Sequence, residues 1–308
     1  MGHTILDTNN RIVPHRASYY KRNKKHMLEN CPEVDNSYKW AGGGLLSNDA
    51  DKDLEDMVPS DSDEKEFLSN VPYSTVTDAL AMFKDDELVA EPGTKFRYTT
   101  HGFTLVSAVL EKVSGKEFKK LVEDLTFQLG MGHTILDTNN RIVPHRASYY
   151  KRNKKHMLEN CPEVDNSYKW AGGGLLSNVT DLLIFANAML FSHQAGAASA
   201  NAFINSDVIR QLWKGEISVD NKTMAALGWM RIPDGDPYRG VNECSSLGGM
   251  WYHTGGGVGA SSVLLIRPCS TTSAHRGPPV GVCVVMLCNL QDTSLLSLAK
   301  EVEEIFRP

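Results

Sequence analysis

The stretch that says most about the fold is His253-Thr254-Gly255-Gly256-Gly257, which leads towards a predicted strand. Three consecutive glycines weaken a strand, because they bring no side chain to pack, unless something has to approach the backbone closely. A ligand along such an edge would meet unhindered N–H groups, the Thr254 hydroxyl and the His253 imidazole. The alternative interpretation is a glycine-rich loop on which His253 is merely exposed.

The segments around this stretch predict an antiparallel sheet. Residues 260–266 and 280–287 are nearly all apolar or small, and a Pro/Gly-rich stretch at 267–279 separates them. This pattern is typical of two antiparallel strands joined by a loop. A further strand is predicted over 226–231, and an amphipathic helix over 295–306 closes the chain. Helices, then antiparallel strands, then a helix laid across them indicate an α+β fold.

Upstream of the strands, apolar residues recur at helical spacing. Thr99 or Thr100 can cap a helix that stops at Gly115. Ser177 can cap a later helix that carries Asp181 in its first turn. The apolar face of the first helix, which we expect to point inward, consists of Phe103, Val106, Leu110 and Val113.

Tyr98 lies where a loop meets that first helix, five residues after the break at Pro92-Gly93. A phenol in this position can donate or accept a proton if neighbouring cations lower its pKa. The alternative is an amphipathic tyrosine that only anchors the start of the helix.

The chain of 308 residues contains an internal copy: residues 1–48 repeat residues 131–178 letter for letter. The first copy runs into residues 49–66, which hold nine acidic residues against Lys52 and Lys65. Such a charge run cannot bury enough apolar surface to order itself. We therefore predict that residues 1–48 are poorly packed, that 49–70 form an acidic linker, and that 71–308 form the folded domain.

Three stretches together resemble the penicillin-binding-protein and class C β-lactamase superfamily, and within it an animal mitochondrial branch. They are EPG at 91–93 with YTTHGFTL at 98–105, VDNSYKWAGGGL at 164–175, and HTGGGVGASS at 253–262. The middle stretch is long and unusual, which makes the resemblance specific. It implies an incomplete, truncated C-terminal part of a β-lactamase/transpeptidase-like fold, with an antiparallel sheet flanked by helices.

The resemblance also implies roles for the site residues. Tyr98 would be the proton-relay tyrosine, with Thr100 where the family often has Asn, and His253 would stand where Lys is commonest. Thr254 would hydrogen-bond a substrate carboxylate or carbonyl. Gly255 and Gly256 would continue the substrate-binding strand, and the Gly256 N–H would be one donor of an oxyanion hole.

The nucleophile that such a site requires is not recognisable. Serine precedes lysine by three residues at Ser18, Ser62, Ser148 and Ser297, but none of the four opens an apolar helix. Because loss of a catalytic serine costs on the order of 10⁶ in kcat elsewhere, we expect this chain to be inactive as it stands. Two hypotheses stay open: a β-lactamase-like serine hydrolase, by resemblance a mitochondrial serine peptidase linked to lipid metabolism, and a non-catalytic binding or self-assembling protein that retains the fold.

Composition narrows the partners. The 41% hydrophobic and 22% charged residues are ordinary for a globular protein, and the net charge of −5 argues against nucleic acid. No run reaches 18 apolar residues, so we predict no transmembrane segment. Without a His-Glu-x-x-His or Cys-x-x-Cys motif, we predict no metal and no cofactor. We expect a peptide or other acyl substrate and allow for a homo-oligomer. The start of the chain carries no targeting pattern, so a mitochondrial location rests on the resemblance, and the alternative is the cytoplasm.

Overall fold

A computed structural model describes residues 67–87, 98–195, 199, 201–234, 248–269 and 278–307. It also describes the backbone of three short strands in the first copy of the repeat: β1 (Tyr19–Arg22), β2 (Leu28–Cys31) and β3 (Lys39–Ala41). The acidic residues 49–66 lie outside the described part, and so does the break at Pro92-Gly93.

The largest element is an antiparallel sheet of six strands. In chain order they are β8 (Ile217–Ser218), β9 (Met224–Ala225), β10 (Met230–Pro233), β11 (Gly249–Gly257), β12 (Ala260–Pro268) and β13 (Gly281–Cys288). Their order across the sheet is the reverse of this sequence order, so each strand pairs with the next one along the chain. The predicted antiparallel pair is therefore present as β12 and β13. The HTGGG stretch is the end of β11, which turns into β12 through Val258 and Gly259, where φ is +76°.

Helices cover both faces of this sheet. On one face α7 (Leu296–Phe306) buries Leu296 and Ala299 against side chains of β11, β12 and β13. On the other face α5 (Val179–Gln194) and α6 (Ser206–Leu212) pack against Trp251 and Ile266. Because side chains of a strand alternate between faces, Trp251 and His253 share the α5 face, whereas Tyr252 and Thr254 share the α7 face.

A second group of elements stands beside the sheet. It consists of α1 (Val76–Ala79), α2 (Thr100–Ser114), α3 (Phe118–Leu129), α4 (Trp170–Gly173), β4 (Ile135–Leu136), the hairpin of β5 (Tyr150–Arg152) and β6 (Leu158–Asn160), and β7 (Leu175–Ser177). Its core is the cluster of Val76, Phe118, Val122 and Leu136. Strands β3 and β4 pair antiparallel with β7, one on each side of it.

The ends of α2 agree with the sequence. The Thr99 hydroxyl accepts a hydrogen bond from the His101 N–H at 3.2 Å, and Gly115 ends the helix with φ of +68°. A left-handed residue at this position suits glycine, which lacks the steric penalty of a Cβ. The start of α5 differs from the prediction, because Asn178 caps it by accepting from the Asp181 N–H at 2.8 Å, while Ser177 ends β7.

The predicted inward face of α2 is wrong at three of its four positions, and only Phe103 is partly buried. Val106, Leu110 and Val113 are 53, 46 and 81% exposed, whereas Thr104 and Ser107 are buried. The buried hydroxyls are satisfied locally: Thr104 donates to the Tyr168 carbonyl at 2.8 Å and Ser107 donates to the Thr104 carbonyl at 2.7 Å. Small hydroxyl residues let α2 approach the segment around α4 closely, which bulkier apolar residues would prevent. Of the helices that the structure describes, none combines the length and the apolar run that crossing a bilayer takes.

Candidate active site

The entrance of α2 meets the end of β11. The ring centroids of Tyr98 and His253 lie 5.8 Å apart, with an angle of 51° between the ring planes. The Tyr98 ring also contacts the Phe103 ring, at a centroid distance of 6.2 Å. Helix α2 begins directly after Tyr98 because Thr99 caps it, which fixes the phenol at the helix start. The structure thus brings together two residues that the sequence singled out from separate segments.

Tyr98 and His253 line a cleft of about 270 Å³. Its wall is completed by α2, by the turn before β10 and by β10 itself. The described residues that line it are Tyr98, Thr99, Gly102, Phe103, Val106, Ala225, Ala226, Gly228, Trp229, Met230 and His253. Trp229 and its neighbours were missed by the sequence analysis. The signal that could have revealed this turn is the Gly228-Trp229 pair. The sequence prediction placed the pair inside a strand, whereas in the structure it lies in the turn before β10.

Burial shifts both titratable groups of the cleft towards their uncharged forms. Desolvation raises the pKa of Tyr98 to about 12. It also lowers the pKa of His253, and the hydrogen bond with the Thr254 carbonyl opposes this only in part. The expectation that cations would lower the Tyr98 pKa does not hold in these surroundings, so Tyr98 is a protonated phenol that donates.

The hydrogen-bond geometry assigns the tautomer of His253. Its Nδ1 lies 2.6 Å from the carbonyl oxygen of Thr254. Because a carbonyl can only accept, Nδ1 carries the proton, and Nε2 is left as the acceptor of the neutral ring. The imidazole therefore offers a lone pair rather than a positive charge.

The glycines extend β11 beyond the point where its pairing with β10 ends. Residues Gly255–Gly257 pair with Ser262, Ser261 and Ala260 of β12 on one side. On the other side the pairing with β10 ends at Tyr252, and no strand among the described residues continues it. An open strand edge of this kind can pair with an extended chain through main-chain hydrogen bonds.

Two of the predicted substrate-binding residues lie elsewhere. Thr254 pairs with Val263, which belongs to the core under α7, so alternation puts Thr254 on the face opposite to His253. Thr100 is buried beneath α4: a Cβ on Gly172 would come within 3.1 Å of the Thr100 Cα. Neither residue is part of the cleft wall. Gly255 and Gly256 continue β11 beyond His253 and are partly exposed.

The block at 164–175 is structural support for this entrance. Asp137 is held by both guanidinium nitrogens of Arg146, at 2.7 and 3.0 Å, and accepts from Asn166 at 2.9 Å. The Trp170 indole N–H donates to the Asp137 carbonyl at 2.9 Å. A Cβ on Gly174 would meet the Asn166 carbonyl at 2.9 Å, so the glycine is needed for close packing. These bonds fix the segment on which α2 rests.

The described Ser-x-x-Lys pairs do not face the cleft. Ser148 is exposed, and Lys151 lies 3.4 Å from Glu159 in an ion pair across the β5–β6 hairpin. Ser297 is exposed on α7, and Lys300 lies over the Tyr252 ring, on the opposite face of the sheet from His253. Ser18 and the Ser62 pair lie outside the described residues. No cluster of three or more His, Cys, Asp or Glu residues that suits a metal occurs in the described part of the chain.

Solved structures define the class of this architecture. A penicillin-binding protein from Bacillus halodurans superposes with a TM-score of 0.60 at 18% identity, over 88% of this chain and 71% of that one. A D-stereospecific amidohydrolase from Streptomyces sp. gives 0.57 at 19% identity, over 78% and 62%. The α+β fold is therefore that of the penicillin-binding proteins and β-lactamases, as the sequence predicted.

Sequence comparison gives the family. The beta-lactamase family model matches residues 41–304, and the chain belongs to that family. The serine beta-lactamase-like protein LACTB, mitochondrial, of Bos taurus is 35% identical over 256 residues, and that of Mus musculus is 34% identical. Each match covers 79% of this chain and 46% of the relative. The chain thus spans about half the length of the curated relatives it matches.

Proposed function

We propose that this chain comes from a serine hydrolase that transfers an acyl group from a peptide or another acyl substrate. The observation that carries the proposal is the 5.8 Å contact between Tyr98 and His253 beside the open glycine edge of β11. Family membership supports it, and so does the likeness to the fold of a D-stereospecific amidohydrolase.

In the proposed reaction a serine hydroxyl attacks the acyl carbon while Tyr98 relays the proton. The Tyr98 phenol, whose pKa is raised to about 12, starts in its neutral form: it passes its own proton to the leaving group and takes up the proton of the attacking hydroxyl in the same step, so that it is neutral again after acyl transfer. The substrate backbone pairs with the edge at Gly255 and Gly256, and the Gly256 N–H stabilises the oxyanion. The substrate-binding roles of Thr254 and Thr100 stay predictions, because neither residue lines the cleft in this structure.

We further propose that the 308-residue chain does not turn over substrate itself. The support is that neither described Ser-x-x-Lys serine lies at the cleft, whose described hydroxyls are those of Tyr98 and Thr99. A fluorophosphonate probe should leave this chain unlabelled. It should label a longer product of the same gene in which a Ser-x-x-Lys serine is verified.

The same probe tests the role of Tyr98. In the longer product, Tyr98→Phe should slow labelling by about 10²–10⁴-fold, the usual contribution of a positioned proton-transfer group. Ser148→Ala serves as the matched control and should label like the parent. A verified longer product that stays unlabelled would overturn the hydrolase proposal.

The alternative is a non-catalytic protein that binds or self-assembles. It is favoured by the same lack of a described nucleophile, and by the fold likeness to an octameric penicillin-binding protein homologue from Pyrococcus abyssi, with a TM-score of 0.56 at 21% identity. Sedimentation velocity on the purified chain separates the two proposals when it is read beside the labelling. A concentration-independent oligomer without labelling of any product of the gene supports the alternative.

We propose a mitochondrial location because the curated relatives are named as mitochondrial proteins. A link to lipid metabolism is a proposal of the same kind and rests on the family resemblance. Fluorescent tagging of the full gene product, compared with a mitochondrial marker, tests the location. A diffuse cytoplasmic signal would contradict it.

A further inference from the structure

The wall of the cleft at Tyr98 and His253 carries no formal charge among its described residues. It contains no Asp, Glu, Lys or Arg side chain. The apolar side chains of the wall come from α2 and from the β9–β10 region. They are Phe103, Val106, Ala225, Ala226, Trp229 and Met230. A largely apolar wall with a few polar groups is typical of a site that buries one part of a ligand.

The Trp229 side of the cleft is held in place by other aromatic rings. Its indole stacks on Phe185 with centroids 6.4 Å apart and planes within 5°. Trp213 meets it edge-on at 5.7 Å. Because these rings belong to the packed region between the sheet and α5, Trp229 presents a fixed apolar surface rather than a side chain that can swing away.

The polar groups of the cleft do not favour a charged ligand group. The His253 imidazole is neutral and offers an acceptor at Nε2, because Nδ1 donates to the Thr254 carbonyl. The Tyr98 hydroxyl is a neutral phenol, and Thr254 lies on the opposite face of the sheet. A carboxylate or ammonium group entering here would lose its hydration without gaining an ion pair from the described residues of the wall, which is costly.

We propose that this cleft binds an uncharged, apolar side group of the substrate, an aromatic ring or a branched aliphatic group. The inference rests on the proposed function in treating the occupant as part of a substrate. The size agrees with it: an apolar protein cavity of about 150 Å³ binds benzene, and this cleft measures about 270 Å³. The neighbouring open edge of β11 would hold the backbone that carries the group.

The test compares ligands that differ only in the side group. Capped amino acids, N-acetyl-phenylalanine amide, N-acetyl-aspartate amide and N-acetyl-lysine amide, share one neutral backbone. Their dissociation constants for the full 308-residue chain can be measured by NMR titration of the Trp229 indole N–H, assigned with Trp229→Phe. We expect the phenylalanine compound to bind at least about tenfold more tightly than either charged compound. Only the charged side groups would have to give up the hydration of an ion in the cleft.

A pair of variants on α2 locates the binding. Val106 lines the cleft and is 53% exposed, so Val106→Asp should fold and should weaken the phenylalanine compound by about tenfold or more. Val113 lies two turns further along the same face and is 81% exposed. Val113→Asp adds the same charge to the same helix and should leave the affinity unchanged.

The outcomes separate this inference from the hydrolase proposal. Equal or tighter binding of a charged compound, or equal loss in Val106→Asp and Val113→Asp, would overturn the apolar cleft even if fluorophosphonate labels the longer gene product. Selective binding of the phenylalanine compound without any labelling would support the cleft and count against the hydrolase. The binding measurement requires no turnover, so neither result depends on the other.

Discussion

Tyr98 shows how one contact changes the meaning of a residue. In the sequence it is a tyrosine before a capped helix, and either a proton relay or a helix anchor fits that position. The ring contact with His253 favours the first interpretation, because an anchor requires no partner on a distant strand. Because burial raises the pKa of Tyr98 and does not lower it, the phenol stays a protonated donor at neutral pH.

The burial of Tyr98 predicts an alkaline loss of stability. An unfolded tyrosine ionises near pH 10, whereas the folded phenol ionises near 12. Below pH 10 both states are protonated and stability is unaffected. Between pH 10 and 12 the unfolded state loses the proton first, so the free energy of unfolding falls as pH rises.

Tyr98→Phe removes this titration and provides the measurement. Urea unfolding at pH 8, 10 and 11 should show a smaller alkaline decrease for Tyr98→Phe than for the parent chain. Other buried groups, such as the Cys283 thiol whose pKa is also raised to about 12, titrate in both proteins and cancel in the comparison. Parallel pH curves for the two proteins would contradict the burial of the phenol.

At the scale of elements, hydrophobic pattern predicted β12 and β13 better than the inward face of α2. It was also wrong for most of the strand expected over 226–231, because only residues 230 and 231 lie in β10. Apart from Arg267 near the end of β12, strands β12 and β13 consist of apolar or small residues, and a run of that kind is typical of a strand covered on both sides. The buried face of α2 was predicted wrongly because it consists of Thr104 and Ser107, whose hydroxyls donate hydrogen bonds to backbone carbonyls. Those acceptors come from the fold and from the preceding helical turn, so no periodicity rule reveals them.

The repeat shows which local structures the sequence encodes by itself. Hairpin β1–β2 pairs Tyr20 with Asn30, and hairpin β5–β6 pairs the equivalent Tyr150 with Asn160 in the same register. The segment Lys39–Ala41 is a strand, whereas the identical letters at 169–171 lie in the helical turns around Trp170. Turn chemistry fixes the hairpin, while tertiary contacts decide the second segment. The positions of Thr254 and Thr100 likewise depend on tertiary contacts. The sequence could therefore single out these residues but could not predict that they lie outside the cleft.

Helix α7 is joined to the sheet by a buried carboxylate, and this gives a prediction at the scale of the element. Glu303 is 2% exposed in its side chain, lies 3.1 Å from the Arg267 Nε of β12, and forms two hydrogen bonds with Arg307 at 2.9 and 2.7 Å. Glu303→Ala should lower the free energy of unfolding by about 1.5–3 kcal/mol, because it removes charge-assisted hydrogen bonds at a buried site while Arg267 keeps its ion pair with Asp234 at 2.7 Å.

The neighbouring glutamate is the control for this prediction. Glu304 is exposed on the same helix, and Glu304→Ala should change stability by no more than about 0.5 kcal/mol. Chemical unfolding of the three proteins in parallel measures both effects. Equal losses in the two variants would show that the charge of the helix, and not the contact with Arg267, is what matters.

The whole molecule contains two identical segments but builds its described body around the second. Residues 131–178 supply buried side chains such as Leu136, Val164 and Leu176. The first copy adds backbone pairing, with Lys39–Ala41 against Leu175–Ser177. Two segments with the same sequence cannot both occupy the same packing site. The second copy is favoured for that site because it continues directly into α5.

This asymmetry predicts unequal effects of one substitution at two positions. Trp170 donates its indole N–H to the Asp137 carbonyl and packs beside the Val76 cluster, so Trp170→Ala should cost about 3–5 kcal/mol of unfolding free energy. We predict that Trp40→Ala, the same change in the first copy, costs less than about 1 kcal/mol, as expected of a poorly packed segment. Removal of residues 1–48 should likewise leave cooperative urea unfolding, although it removes the β3–β7 hydrogen bonds, at about 0.5–1.5 kcal/mol each, and the contacts of β3 with β12 and β13. If Trp40→Ala matched Trp170→Ala, the first copy would have a packing role equal to that of the second, and the division of the chain into an N-terminal appendage and a folded domain would be wrong.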